Sequence, residues 1–277
     1  MFISTVQSYA NLEQLKAAGV DAIILGIPHF SIRHCIEVNL DDLPKWIQRC
    51  KELDLKLFIN CLAFCMEEEL DLLRSTLYLL QDVDGIYYAD EGVLYEALQL
   101  GMEDKLIYQP ETLVASSADV SFYLEQGIQS VSLAHELSIE EIVSIAKETP
   151  NVEVLVSGYF SILYSRRPLI TNYLNAIGSN VSYDGKPLEL IEKTRMDRMP
   201  IVEDEKGTHV YSHCPIASFE EFEQLQEVGI TRFRIDSIFL DDAYTCDIVK
   251  AYKNKESLCI GSNRWYHETT IKKKEGQ

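Results

Sequence analysis

Glu111, His135 and Glu136 are the residues whose types best suit acid–base chemistry. A histidine beside a carboxylate holds a proton near neutral pH and can pass it on. The alternative is that His135 and Glu136 simply open and cap the next helix. Asp236 ends an Arg-Ile-Asp run and adds a carboxylate. Paired carboxylates can activate water when one pKa is raised. A second constellation, SRRPLITNY, sets Arg166 beside Arg167, with Asn172 and Tyr173 at a distance that one helical turn could fold back. The planar guanidinium fork suits carboxylate or phosphate, so these four are read as an anion site. Lys186, Lys193, Arg195 and Arg198 extend it into a basic island, interleaved with Asp184, Glu189, Glu192 and Asp197 that could pair with it internally.

Other chemistries find less support. His209 and His213 stand four apart with Cys214 adjacent. On a helix they would share a face, as zinc sites require. However, Thr208–Tyr211 is β-prone and Pro215 follows, so no metal site is assigned. Ser157 precedes Gly158 without a GxSxG elbow, and neither HExxH nor a P-loop occurs.

Short apolar segments bounded by turn residues must carry these groups. They are Phe2–Gln7, Ala22–Ile27, Lys56–Leu62, Gly85–Ala89, Leu106–Gln109, Ser130–Ala134, Val152–Ser157 and Arg232–Asp236. Amphipathic stretches lie between them. NLDDLPKWIQRCKEL starts at a cap-like Asn39 and sets Leu43, Trp46, Ile47 and Cys50 on one face. SIEEIVSIAKE opens with Ser138 and Glu141, a capping box. Gly19, Gly127 and Gly229 each close a helix pattern before the next strand. Eight strands alternating with helices predict an α/β fold, a closed (β/α)8 barrel over 1–277. A doubly wound open sheet is the alternative, but no GxGxxG follows strand one. The stretch 159–215, between strands seven and eight, is too long for an ordinary loop and is expected to lie over the barrel mouth. Working residues of a barrel sit at the C-terminal strand ends. That rule adds Arg33, after strand two, and Asn60, near the end of strand three, as substrate-binding candidates.

The 277 residues are 47% hydrophobic and 25% charged, enough for a sizeable core. Net charge is −19, which argues against a surface built throughout for nucleic acid. Seven scattered cysteines without CxxC, and no basic, apolar leader, are expected of a cytoplasmic protein with reduced thiols and no membrane segment. The tail IKKKEGQ reads as a frayed end.

Five segments, in order, resemble the collagenase-like peptidase family U-32: VDAIILGIPHFSIR, GIYYADEGVL, YQPETLVASSADVSFYLEQGIQSVSLAHELSIEEI, VEVLVSGYFSILYSRRPLITNYL and FRIDSIFLDDAYTCDIVKAY. PIVEDEKGTHVYSHCPI is most similar to short members that act as the smaller of two paired proteins. The resemblance implies one of two activities. The first is a role in prephenate-dependent hydroxylation of the wobble uridine of tRNA, with a larger paralogous partner that contacts tRNA and with prephenate as substrate. The second is a collagenase-like protease, a hydrolase using carboxylate-activated water. A noncatalytic barrel that binds an anion or a partner is a third reading. Some members hold an iron–sulfur cluster through four cysteines. Here the first two positions fall on Ser161 and Pro168, the third has no cysteine, and only Cys214 matches the fourth. No cluster is therefore expected in this chain. Cys61 and Cys65 read as core residues or bystanders. His135 stands where most of the family has Arg.

Overall fold

The computed structural model describes residues 1–191, 193 and 197–263. Glu192 and Arg195 of the basic island, and the IKKKEGQ tail, lie outside the described residues. Seven strands come first: β1 (Phe2–Thr5), β2 (Ala22–Gly26), β3 (Lys56–Cys61), β4 (Gly85–Tyr88), β5 (Leu106–Tyr108), β6 (Ser130–Ser132) and β7 (Val152–Gly158). Between them run α1 (Leu12–Ala18), α2 (Leu43–Glu52), α3 (Leu70–Leu79), α4 (Glu91–Leu100), α5 (Ser117–Leu124) and α6 (Ile139–Glu148). The chain then leaves the barrel through β8 (Ser161–Ser165), α7 (Leu169–Ala176), β9 (Leu188–Ile191), β10 (Arg198–Asp204) and β11 (Gly207–Tyr211). It returns through β12 (Ile216–Ala217), α8 (Phe222–Glu227), β13 (Arg232–Asp236) and α9 (Asp242–Asn254), and β14 (Ser262–Asn263) follows.

β13 pairs in parallel with both β7 and β1, so the eight-strand ring closes as expected and an open sheet is ruled out. All eight strands fall within the segments the sequence marks, save that β7 gains Gly158. Side chains alternate across a strand. Inward residues of β1 to β5, including Ile3, Ile24, Phe58, Tyr87 and Ile107, form an apolar lumen cluster. Outward ones, such as Ile23, Leu25 and Ile59, join the larger core beneath the helices. The capping box of α6 is present: Glu141 N–H donates to Ser138 Oγ, and Ser138 N–H donates to Glu141 Oε2. Gly19, Gly127 and Gly229 take positive φ after their helices, as a left-handed C-cap requires. Asn39 makes no side-chain cap; a short 3₁₀ turn at Leu40–Asp42 leads into α2 instead.

The excursion between β7 and β13 builds a four-stranded antiparallel sheet in the order β8-β11-β10-β9, with α7 against β10 and β11. Its two ends meet. Ser212 N–H donates to the Phe160 carbonyl at 2.9 Å, and β12 pairs antiparallel with the end of β7. Among the described residues no helix is long and apolar enough to cross a membrane.

Candidate functional site

Apart from Leu155, the inward positions of β6, β7 and β13 are polar, in contrast to the apolar cluster of β1 to β5. Arg232, Arg234 and Asp236 alternate along β13, and Glu153 and Ser132 face them from β7 and β6. Arg234 is 1% exposed and sits at the centre. Its guanidinium lies 3.4 Å from Asp236, 3.7 Å from Glu153 and 3.9 Å from Glu111. Deeper in the lumen, Glu153 accepts from Tyr87 Oη at 2.7 Å and lies 3.5 Å from Arg232 Nε. Buried charges survive only when paired, and this ladder pairs them from the lumen up to the mouth.

At the mouth, Glu111 is held on every side. Arg33 Nη2 is 3.2 Å from Oε1, Gln109 Nε2 donates to Oε1 at 2.6 Å, and His135 Nε2 is 3.1 Å from Oε2. Burial alone would raise its pKa, but Arg33, His135 and Arg234 together outweigh it and hold the carboxyl at about 2. Asp236 behaves oppositely. Burial, with repulsion from Glu111 and Glu153, exceeds the pull of Arg234 and Arg33 and pushes it up to about 6. Arg234 itself is raised because its carboxylate neighbours outweigh burial.

The local backbone is strained to make this arrangement. His29, Arg33, Glu111 and Phe239, all in loops after β2, β5 and β13, have φ between 53° and 70°. A non-glycine residue in that region costs of order 1–3 kcal/mol and tends to mark a functional site. β7 and β13 also shift register between Arg234 and Ile235, a bulge beside Asp236. Gly158 permits the close approach: a Cβ there would lie 1.9 Å from the Asp236 carbonyl oxygen.

The excursion roofs the cluster. Tyr159, Ser161 and Tyr211 join Arg33, Glu111 and Asp236 around a cavity of about 10 Å³, room for one water. Beside it a groove of about 240 Å³ runs between β8 and the Pro110–Leu113 loop, with Phe64 and Tyr164 in its walls and Arg33 and Glu111 again among its lining residues. The buried Arg33 Nε has no hydrogen-bond partner.

The structure brings Glu111, His135, Asp236 and Arg33 together as one cluster. It does not place the other candidates there. Glu136 is exposed in the turn before α6, one residue along from the inward-facing His135. Asn60 lines the small cavity but ties the β2 loop down, donating to the Ile32 carbonyl at 2.8 Å. Arg166 is turned onto the rim, donating to the Phe64 carbonyl at 2.7 Å and pairing with Glu69 at 3.3 Å. Arg167 is exposed on the approach to α7, and Asn172 and Tyr173 are exposed on it. None of these four lines the cavity or the groove, which corrects their expected position at the mouth. The reason is that β8 carries the chain outward before the arginines are reached. Arg234 and Glu153 were not singled out from sequence, although charges alternating through RFRID were the available signal.

Metal ligation has little to build on. His209 is buried on β11, stacked on Tyr164 at 4.8 Å, whereas His213 lies in the following loop beside Cys214. Among the described residues no group of three or more His, Cys, Asp or Glu side chains could hold a metal ion. The donor set does not fit an iron–sulfur cluster either. Ser161 offers a hydroxyl, Pro168 no side-chain donor, and Cys214 the remaining thiol. Cys61 is fully buried in the core and its thiol is raised by desolvation, with Cys65 packed against the same core.

Residues 7–273 match Peptidase family U32. The tRNA hydroxylation protein P2 of Bacillus subtilis (strain 168) is 27% identical over 95% of this chain and 87% of its own length. The tRNA hydroxylation protein P1 of the same organism is 23% identical over 88% of this chain, which spans only 60% of P1. Among solved structures, the U32 peptidase Mk0906 aligns with a TM-score of 0.50 at 15% identity, covering 84% of this chain and 91% of that one, a likeness of fold. With the family match covering nearly the whole of its length, the chain belongs to peptidase family U32.

Proposed function

We propose that this protein acts in tRNA hydroxylation as the smaller of two paired U32 barrels, with prephenate as a substrate of the paired system. The observation that carries the reading is the likeness to P2 along 95% of the chain. The co-occurrence of P1 and P2 in one organism, with P1 the longer, supports a larger partner. The net charge of −19 supports leaving most of the tRNA contact to that partner. The chain itself is proposed to hold no iron–sulfur cluster, so anaerobically purified protein should show no iron absorbance; a brown protein would contradict this.

The two mouth carboxylates are suited to different work, Glu111 to positioning and Asp236 to proton exchange. A carboxylate that activates water needs a raised pKa, yet Glu111 is held at about 2 and stays ionised. Glu136 points to solvent. Asp236, near 6, is the mouth carboxylate that can exchange a proton near neutrality. Glu111 instead orients Arg33 and His135 beneath the groove.

The test is deletion of the gene, followed by mass analysis of tRNA nucleosides and complementation. Loss of the hydroxylated nucleoside, restored by the parent gene and poorly by Glu111→Gln, is the expected result. An unchanged nucleoside profile in the deletion strain would overturn the reading.

A further inference from the structure

The small cavity under the roof and the groove beside it share Arg33, Leu62, Glu111 and Ser161, so the two spaces adjoin. Their chemistry differs. The cavity has room for one water and is lined by charged and hydroxyl groups, Asp236, Tyr159 and Tyr211 among them. The groove is walled mainly by apolar side chains. Phe64, Leu113, Ile162 and Leu163 line it, and each is more than 40% exposed. The rings of Phe64 and Tyr164, 5.1 Å apart, form part of one wall. Exposed apolar side chains gathered around a concavity mark a ligand site. At about 240 Å³ the groove is smaller than the roughly 300–1,000 Å³ that drug-sized ligands occupy. That size suits a metabolite with a single ring.

Arg33 belongs to both spaces. Its side chain is 8% exposed, and its Nε, a buried donor, has no hydrogen-bond partner. Such a donor is costly to leave unpaired, and on a guanidinium it calls for an anionic acceptor. The charges around it are already balanced. Arg33, Arg232 and Arg234 face Glu111, Glu153 and Asp236. A further buried negative charge therefore enters together with a proton. Asp236 is placed to take that proton, because two carboxylates in so small a space cannot both ionise. The groups that face it are Arg234 on its own strand, Glu153 on β7, Arg33 and Cys35 after β2, and Glu111 after β5; Tyr159 and Tyr211 complete the cavity. Burial pushes the Cys35 thiol up to about 11, and Glu111 is held at about 2, whereas Asp236 stands near 6.

We infer that groove and cavity form one site for a small carboxylic acid with a flat apolar body. The body lies along Phe64, Tyr164 and Leu113, one carboxylate oxygen enters the cavity to accept from Arg33 Nε, and binding takes up one proton at Asp236. The inference deepens the roles proposed above for Glu111 and Asp236, and rests on them. A nucleobase is also flat, but it offers Arg33 only a neutral acceptor and calls for no proton.

The test is titration calorimetry of the full-length protein with 3-phenylpropanoate, its neutral amide, acetate and uridine. The parent should bind 3-phenylpropanoate at least roughly tenfold more tightly than the other three. Arg33→Lys keeps the positive charge but lacks the Nε donor, and should weaken that binding by roughly tenfold or more. Leu113→Asp, at a groove position 68% exposed and outside the charged cluster, should weaken it similarly with an unchanged melting temperature. Phe122→Asp, exposed on α5 and not among the groove residues, should bind as the parent does. Between about pH 7.5 and about pH 5.5 the parent's affinity should rise by roughly tenfold or more as Asp236 gains its proton, while Asp236→Asn should bind alike at both. A parent that binds none of the four probes, that binds acid and amide equally, that prefers uridine, or whose affinity ignores pH would overturn the site. So would a Leu113→Asp protein that melts and binds as the parent does. Each of these results leaves the role in tRNA hydroxylation standing, whereas an unchanged nucleoside profile in the deletion strain removes that role without altering the titrations.

Discussion

Arg234 is the residue on which the mouth depends. It has carboxylates on three sides, Glu153, Glu111 and Asp236, with only 1% of its surface exposed. Arg234→Met should lower stability by about 3–5 kcal/mol, because it strands buried charges; urea unfolding measures this. Asp236 gives a second expectation, with a definite sign. Its folded pKa of about 6 lies above the usual carboxylate value. The stability it allows is therefore fully present below about pH 4 and is lost as pH rises towards 6. Asp236→Asn should gain on the parent across that window, and a parent that stabilises relative to the variant would contradict the assignment. Glu111 has the opposite sign: its contribution is present above the usual carboxylate pKa and is lost as pH falls towards 2. Much of this cluster was legible in the sequence. The Glu111–His135 approach follows from neighbouring strands five and six, and Arg33 and Asp236 from strand ends. Arg234 was hidden because a charged residue inside a strand is ordinarily assigned outward, and only the closed lumen gives it acidic neighbours. Glu136 was misread because adjacent residues in a turn point apart.

At the level of elements, the strands were legible because apolar runs and turn residues alternate with few exceptions along the chain. The four-stranded sheet of the excursion was not, since β9 is exposed along its whole length and lacks the buried periodicity that marks a strand. The end of β7 shows how tightly one element constrains another. Gly158 has φ of 117°, and the space its Cβ would need is filled by the backbone of β13. Gly158→Ala should therefore cost at least about 2 kcal/mol and disturb the seam beside Asp236. A Gly158→Ala protein that melts with the parent would show that this seam relaxes freely. At α6, Ser138→Ala should cost about 1 kcal/mol by removing the cap.

On the scale of the molecule, charge is a net burden. With −19 spread over the surface outside the excursion, self-repulsion opposes compactness. Raising salt from about 20 mM to about 500 mM shortens the screening length several-fold and should raise the melting temperature. A falling melting temperature would mean that the surface ion pairs outweigh the repulsion. The way the excursion is attached has a further consequence. Phe160 and Ser212 are hydrogen-bonded neighbours, so the chain departs from the ring and rejoins it at almost the same point. The ring's geometry is thus indifferent to how much chain hangs between them, and closing a longer or shorter span costs little extra entropy. The excursion is a side branch on a finished circle. Evolution can lengthen, trim or exchange it without renegotiating strand order, and a short turn spliced from Phe160 to Ser212 should leave a barrel that still closes, with its charged mouth opened to water.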